Sequence, residues 1–230
     1  MRAHKRVVKW VILFSLSALL FACGGGGDTA LVGVSTMRTL QAGDSWTYDF
    51  SGQGHNVSQS YTYSGTSTVS LTQETINSET VFALTATETG TFSSGSSYTD
   101  TTITYLQQDQ NSGDIKMYGI TYPNSTLKTV TDQPLPVIWP GSWEAGKTNT
   151  AIIHYSDGTT DATSYSYTIM GPESVTTPAG TFATWKYVIT SGAVTRTYWF
   201  SPQLGYYVKI DITDGTDSNS YTLRSTSVPL

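Results

Sequence analysis

The sequence predicts an all-β protein, an antiparallel meander of about eleven or twelve strands that forms an open barrel or two packed sheets. The first observation is that Thr and Ser account for 67 of the 230 residues, with 39 Thr and 28 Ser. Thr and aromatic residues fit a pleated sheet, and Ser and Gly fit turns. The second is that aromatic residues make up 12% and charged residues 13%, which argues against disorder. The third is a strand-like period in the hydrophobic pattern.

Apolar and polar residues alternate with a period of two from residue 43 onward. This alternation is typical of an antiparallel sheet with one buried and one solvated face. It is clearest in three runs of aromatic and aliphatic residues: Trp46, Tyr48 and Phe50; Trp185, Tyr187 and Ile189; Tyr206, Val208, Ile210 and Ile212. Turn residues separate the runs, as at Pro178-Ala179-Gly180, where we expect Gly180 at positive φ between two strands.

The first 22 residues have the features of a secretory signal peptide. Residues 1–9 are basic, and residues 10–22 are apolar but short for a membrane span, which needs about 20 apolar residues. Cys23, the single cysteine of the chain, follows directly. The letters L-F-A-C at residues 20–23 resemble the lipobox of bacterial lipoproteins. This resemblance implies that Cys23 is diacylated after cleavage and anchors the chain to a membrane.

These boundaries give the expected domain organisation. We expect a lipoprotein signal peptide at residues 1–22, a lipidated cysteine with a flexible tether at residues 23–40, and one all-β domain at residues 41–230. The lipobox implies a bacterial cell envelope. Because Gly24 rather than an aspartate follows the cysteine, the resemblance further implies the outer membrane, on its periplasmic or surface face.

The charge of the chain excludes a nucleic acid as its partner. Four of the 12 basic residues lie in the first nine positions, and Asp28 is the first of the 17 acidic residues. Beyond residue 22 the chain therefore carries eight basic and 17 acidic side chains, a formal charge of −9. Such a surface repels phosphate backbones. The expected partners are a membrane, through acylated Cys23, and an apolar small molecule or an envelope protein.

The order of motifs indicates a possible internal duplication. Residues 43–133 and 141–230 each contain, in the same order, a Gly-Trp opening, a Tyr-x-Tyr strand, a glutamate-led segment, an aromatic strand, a glycine turn and a strand with an internal lysine. The spacings drift by several residues, and sequence rich in Thr and Ser also produces such echoes by chance. Residues 134–140, with three prolines, would form the crossover between the halves.

No pattern of residues predicts catalysis or metal binding. Beyond the signal peptide the chain has two histidines, His55 and His154, and neither lies at zinc-ligand spacing from another His or Cys. The acidic residues around Gly158 and Gly215 do not match a calcium loop, and solvated hairpin turns explain them. A serine triad stays open, although the sequence has no G-x-S-x-G elbow between a strand and a helix. We expect no catalytic residue, no metal and no cofactor.

Three turn motifs resemble a pattern found in uncharacterised bacterial envelope lipoproteins. The opening G-D-x-W-x-Y lies at residues 43–48, V-x-x-P-A-G-x-F at residues 175–182, and W-x-S-P-x-x-G-x-x-V-K at residues 199–209. In each, Pro or Gly fixes the turn and an aromatic residue starts or ends a strand. Some of these relatives are similar to the open β-half-barrel of Lol-type lipoprotein carriers, which hold an acyl chain under helical lids. This sequence has no evident lid helix.

The aromatic residues exceed what one thin sheet must bury, because the chain contains 15 Tyr, 6 Trp and 7 Phe. We predict a non-enzymatic envelope lipoprotein that binds an apolar ligand or a partner protein in a concavity with at least two partly exposed rings. A structural or assembly lipoprotein without a small ligand is the alternative, and a hydrolase is a third hypothesis. The expected ligand-binding residues are Trp46, Tyr48, Tyr165, Tyr167, Trp185, Trp199 and Tyr207.

The lipobox predicts the behaviour of a Cys23→Ser variant. Because the thiol accepts the diacylglycerol, this change should abolish labelling by a radioactive fatty acid and release the protein from the membrane fraction into the periplasm. Ser35→Ala, a change within the tether, is the control and should leave the labelling intact. Unchanged labelling of the Cys23→Ser variant would contradict the lipoprotein prediction.

Overall fold

The computed structural model describes residues 35–55 and 60–229, and this part of the chain is all-β, as the sequence predicts. The signal peptide, Cys23 and most of the tether lie outside the described residues. Within the described ranges no helix is long and apolar enough to cross a membrane. In chain order the strands are β1 Ser45–His55, β2 Ser60–Ile76, β3 Glu79–Phe92, β4 Ser97–Gln108, β5 Ile115–Thr121, β6 Lys128–Thr129, β7 Val137–Trp139, β8 Thr148–Asn149, β9 Ile153–His154, β10 Thr160–Asp161, β11 Tyr167–Thr177, β12 Gly180–Ser191, β13 Val194–Ser201, β14 Tyr206–Asp214 and β15 Asp217–Thr226.

Thirteen of the strands form one antiparallel sheet in the order β6-β5-β4-β3-β2-β1-β15-β14-β13-β12-β11-β8, with β7 also paired to β5. The chain enters in the middle of the sheet at β1 and meanders outward to β5. A crossing segment, residues 122–166, carries it to the opposite edge at β11. The chain then meanders back until β15 pairs with β1. The predicted antiparallel meander is thus confirmed in one large sheet, and the two remaining strands, β9 and β10, pair with each other.

The predicted number of strands matches the long strands more closely than the total. Ten strands, β1–β5 and β11–β15, have seven or more residues. The other five have two or three residues each, and all lie in the crossing segment. Its prolines lack the backbone N–H that a ladder requires, so regular pairing is short there.

The sheet is not closed into a barrel, but hydrogen bonds from the side chains of Tyr167 and Asn149 join its two edges. The Tyr167 hydroxyl, on β11, donates to the backbone oxygen of Ile138, on β7, at 2.9 Å. Strand β7 extends the β5 edge and β8 extends the β11 edge, and no backbone ladder joins β7 to β8 in the described residues. Asn149 Nδ2, on β8, donates to the backbone oxygen of Val137 at 3.0 Å and to that of Tyr165 at 2.8 Å. The amide therefore satisfies carbonyls on both sides of the gap.

The crossing segment covers the concave, apolar face of the sheet and completes the core. Trp143 of this segment stacks on Phe200 of β13 with ring centroids 4.5 Å apart and an interplanar angle of 13°. Buried aromatic pairs of this kind contribute about 0.5–1.5 kcal/mol beyond their area. The largest fully buried side chains are Trp46, Trp143, Tyr187, Phe200, Leu71, Leu106, Ile115, Met117, Ile138, Ile153, Ile169 and Leu204.

Tyr207 of β14 is the polar centre of this core. Its hydroxyl accepts the indole N–H of Trp139 at 2.9 Å and lies 2.8 Å from the Tyr187 hydroxyl. The Tyr48 hydroxyl donates to the Tyr207 backbone oxygen at 2.6 Å. Side chains of the crossing segment, β1 and β12 thus meet at one residue of β14, and each buried polar group there has a partner.

The described end of the predicted tether belongs to the folded domain. Met37 and Leu40 are buried in the core. The Met37 N–H donates to the Gly141 oxygen at 2.8 Å, and the Leu40 N–H donates to Gln108 Oε1 at 2.8 Å. These two apolar side chains lack a periodic context in the sequence, so the pattern placed residues 35–40 in the tether.

The two halves of the sheet have the same strand order. Strands β1–β6 form one meander, and β8 with β11–β15 forms a second that runs in the same direction across the sheet. Both halves carry an irregularity in the matching ladder, at Tyr105/Leu106 between β4 and β5 and at Trp199/Phe200 between β13 and β14. The topology fits the predicted correspondence of the halves, and their common origin by duplication stays a prediction.

The turn between β11 and β12 gives a stability prediction. Gly180 has a φ of +135°, which confirms the expected positive φ, and Thr177 faces it across the turn. A side chain there would meet only ordinary contacts with Phe182, so backbone strain is the main cost. We expect Gly180→Val to lower the free energy of unfolding by about 1–3 kcal/mol in a denaturant titration.

Ser174→Val is the matched control for that substitution. Ser174 is exposed on β11, where the extended backbone accepts a β-branched residue. Its unfolding free energy should stay within about 0.5 kcal/mol of wild type. Equal effects of the two variants would show that the turn does not impose the strain.

Candidate functional site

The core contains a cavity of about 290 Å³ between the crossing segment and the concave face of the sheet. Aromatic rings form most of its wall, and a few polar groups interrupt them. The lining residues are Leu84, Thr104, Ile138, Trp139, Ser164, Tyr165, Arg196, Tyr198, Tyr206 and Tyr207. Both halves of the sheet and the crossing segment contribute, so the cavity exists only because the chain crosses from one sheet edge to the other.

Strand alternation positions the side chains of the cavity. Arg196 and Tyr198 are two residues apart on β13 and therefore point to the same face of the sheet. On the other side, Leu84 of β3 and Thr104 of β4 are direct partners in their ladder. The crossing segment adds Tyr165 just before β11 begins. Regular strands and a loop thus hold the wall from two sides.

Three of the tyrosines keep part of their surface accessible to solvent. Tyr165, Tyr198 and Tyr206 are intermediate in exposure, whereas Tyr207 is buried. Burial raises the pKa of Tyr198 to about 12, and the positive charge of Arg196 opposes that rise. Burial also raises the pKa of Tyr165 and of Tyr206. These phenols therefore stay protonated, and uncharged, at physiological pH.

Among the residues that the structure describes, Arg196 is the one charged side chain in the lining of the cavity. It makes no ion pair or hydrogen bond within the described part of the chain, where the other basic residues all have partners. Those pairs are Arg38 with Asp44, Lys116 with Asp109, Lys128 with Asp157, Lys147 with Ser142, Lys186 with Glu173, Lys209 with Asp211 and Arg224 with Asp49.

Asp161 is the acidic residue whose charge acts on this region. It contributes to the raised pKa of both Tyr165 and Tyr198. Its Oδ1 accepts the backbone N–H groups of Thr163 at 3.0 Å and Ser164 at 2.9 Å. The carboxylate therefore orders the loop that carries Ser164 and Tyr165, and it forms no ion pair with Arg196.

The structure separates the seven predicted ligand-binding residues into three groups. Trp46, Tyr48, Tyr167 and Trp185 are buried in the core. Tyr165 and Tyr207 line the cavity, the first partly exposed and the second buried. Trp199 lies on the opposite face of the sheet. The pattern identified the inward-facing rings but not which of them the crossing segment covers, because that depends on contacts between residues distant in sequence.

Trp199 forms its own cluster on the outer face. The ammonium groups of Lys186 and Lys209 lie 5.2 Å and 4.7 Å from the indole centroid. The indole N–H donates to Glu173 Oε2 at 2.7 Å, and Lys186 Nζ lies 3.1 Å from Glu173 Oε1. Cation–π contacts and an ion pair thus stabilise the ring on the surface.

Sequence reasoning missed Arg196, Tyr198, Tyr206 and Trp139 as cavity residues. One signal was available for Arg196. In the run Val194-Thr195-Arg196-Thr197-Tyr198, it shares the phase of the apolar residues. A charged residue in the apolar phase of a strand is unusual and calls for a partner or a role.

The histidines form two surface pairs with carboxylates. His55 Nδ1 lies 2.9 Å from Asp217 Oδ1, and His154 Nδ1 lies 2.7 Å from Asp132 Oδ1. Among the described residues, neither ring has a serine hydroxyl within hydrogen-bond distance. The same part of the chain contains no group of three or more side chains placed to hold a metal ion.

A second concavity lies at the far end of strands β1, β2, β3, β14 and β15. It is an open depression of about 800 Å³ with Tyr63 and Phe92 among many serine and threonine hydroxyls. Asp211 is its charged residue. Among the described residues that line this depression none is basic, and the depression is less enclosed than the cavity beside Arg196.

Comparisons with known proteins give one finding. Neither the curated proteins nor the solved structures include a match to this chain. A family model described as "Protein of unknown function (DUF3108)" matches residues 26–224, which cover nearly the whole predicted domain and most of the chain. The chain therefore belongs to the DUF3108 family.

Proposed function

We propose that this DUF3108 protein is a non-enzymatic, lipid-anchored protein of the bacterial envelope that binds an apolar small molecule in the cavity of its concave face. One observation carries the proposal. Tyr165, Tyr198 and Tyr206 keep accessible surface in one cavity, inside a core whose other rings are tightly packed. Burying that surface under a ligand would be favourable.

The composition of the wall supports binding. Small-molecule sites are concave, mostly apolar, and carry a few polar groups that orient the ligand. Here the rings of Trp139 and Tyr206 supply apolar surface, and Thr104 and Ser164 supply hydroxyls. The volume of about 290 Å³ lies just below the usual range of about 300–1,000 Å³. It suits a small ligand or one end of a longer one.

The N-terminal sequence supports the location. A basic segment, a short apolar segment and Cys23 in a lipobox-like context are the features that direct a chain to lipidation in bacteria. Two acyl chains on the cysteine would anchor the protein stably. The cavity would then lie close to a membrane, which is a source of apolar ligands.

A structural lipoprotein without a small ligand is the second candidate. The observation in its favour is that five of the seven predicted ligand-binding rings, including Trp46 and Tyr48, are buried in the core. In that case the aromatic residues would serve stability alone. The two candidates differ in whether the cavity takes up a ligand.

Titration with N-phenyl-1-naphthylamine, an uncharged aromatic probe, tests the proposal. We expect saturable binding with one site, followed by the probe's fluorescence. Ser164→Phe places a ring in the lining and should weaken binding by about tenfold or more, equivalent to 1.4 kcal/mol. Ala162→Phe adds the same ring at an exposed position outside the lining and should leave the affinity within about twofold of wild type.

Two outcomes would contradict ligand binding at this cavity. One is the absence of saturable binding to the folded wild-type protein, which would favour the structural lipoprotein. The other is an equal effect of Ser164→Phe and Ala162→Phe, which would place the probe elsewhere.

A further inference from the structure

No carboxylate of the described residues forms an ion pair with Arg196, and Asp161, the acidic residue whose charge acts on this region, accepts backbone N–H groups of its own loop. In the ladders of β13 the direct neighbours of Arg196 are Ile189 on β12 and Ile212 on β14. Neither isoleucine side chain offers a hydrogen-bond acceptor. A half-buried guanidinium carries five donors and remains charged at all physiological pH values. Leaving those donors unpaired beside apolar neighbours is costly, and an anion that enters the cavity would remove that cost.

The other basic residues of the described chain differ from Arg196, because each of them has a partner. Acidic residues outnumber basic residues by 17 to 12, so carboxylates are in excess. Each of the other basic residues in the described ranges nevertheless has a partner, as set out above. Arg196 alone among them is placed in a cavity wall and left unpaired.

The tyrosine hydroxyls of the cavity also fall into two groups, one with and one without a hydrogen-bond partner in the protein. The Tyr207 hydroxyl is bonded to Trp139 and Tyr187. The hydroxyls of Tyr165, Tyr198 and Tyr206 make no hydrogen bond among the described residues. Being protonated, they are available as donors, and an oxyanion accepts from phenols as well as from a guanidinium.

We infer that Arg196 is the anion-recognising residue of this cavity, and that the ligand is an amphiphile whose carboxylate or phosphate pairs with the guanidinium while its apolar body lies on the tyrosine rings. This inference rests on the proposed function and names the class of its ligand. A planar guanidinium binds either oxyanion with two parallel hydrogen bonds. The apolar body would contact Leu84, Ile138 and Trp139.

A set of matched C10 probes tests the inference, all used below their critical micelle concentrations: decanoate, decyl phosphate and uncharged 1-decanol. We expect wild-type protein to bind at least one of the two anions about tenfold or more tightly than 1-decanol, measured by calorimetry. The better of the two anions identifies the headgroup. Inorganic phosphate alone should bind more weakly than decyl phosphate, because it lacks the apolar body.

Variants assign the preference to Arg196. Arg196→Gln should abolish the preference for the anions and leave the affinity for 1-decanol within about twofold. Arg224→Gln, which removes an outer-face arginine paired to Asp49, should retain the preference. If Arg196→Gln does not fold, Arg196→Met, which keeps a long unbranched side chain and removes the charge, should lose the preference in the same way.

The outcomes separate the inference from the proposed function. Equal affinity of wild-type protein for anions and 1-decanol would overturn the inference and leave apolar ligand binding intact. A preference that persists in a folded, uncharged Arg196 variant would also overturn it, and so would an equal loss of the preference in Arg224→Gln. Failure of all the probes to bind would refute the proposed function itself.

Discussion

The hydrogen bond from the Trp139 indole to the Tyr207 hydroxyl is the interaction on which the rest of this structure depends. A sheet that bends without closing exposes a concave apolar face, and the crossing segment has to cover it. Trp139 fixes that segment in the core, because its N–H finds an acceptor on β14 that is itself bonded to Tyr187 of β12. Buried indole and phenol groups are tolerated when they satisfy one another in this way. The stacking of Trp143 on Phe200 holds a further part of the crossing segment on the concave face.

The cavity lies where the crossing segment stops covering the concave face completely. Where the crossing segment returns toward β11, small and polar residues such as Ser164 replace large apolar ones, and the covering becomes incomplete. The sheet beneath contributes Arg196 and Tyr198 at that place. A dry core and an accessible cavity therefore share one wall, and the same strands contribute to both. This explains why rings with identical sequence patterns have different fates, with Tyr167 buried and Tyr165 partly exposed.

Local pattern was sufficient to predict the all-β meander, because alternation and turn chemistry act over a few residues. The runs around Tyr187 and the turn at Gly180 are examples, and the positive φ of Gly180 followed from its place in the turn.

The burial of Met37 and Leu40 could not be predicted in the same way, since their contacts lie with segments far along the chain. The cavity depends on the packing of the crossing segment, which is a long-range property. Arg196 was visible as an apolar-phase charge, but its lack of a partner required the whole set of ion pairs. Lipidation of Cys23 and ligand binding in the cavity stay predictions.

A double-mutant cycle with Trp139→Phe and Tyr207→Phe tests the central interaction most directly. Each single change removes one partner of the hydrogen bond and keeps an aromatic ring in the core. Equilibrium denaturation of the wild-type, single-variant and double-variant proteins gives the coupling free energy. The account predicts a favourable coupling of about 1 kcal/mol or more between the two residues. Additive effects, with a coupling below about 0.3 kcal/mol, would contradict the claim that this bond fixes the crossing segment on the concave face.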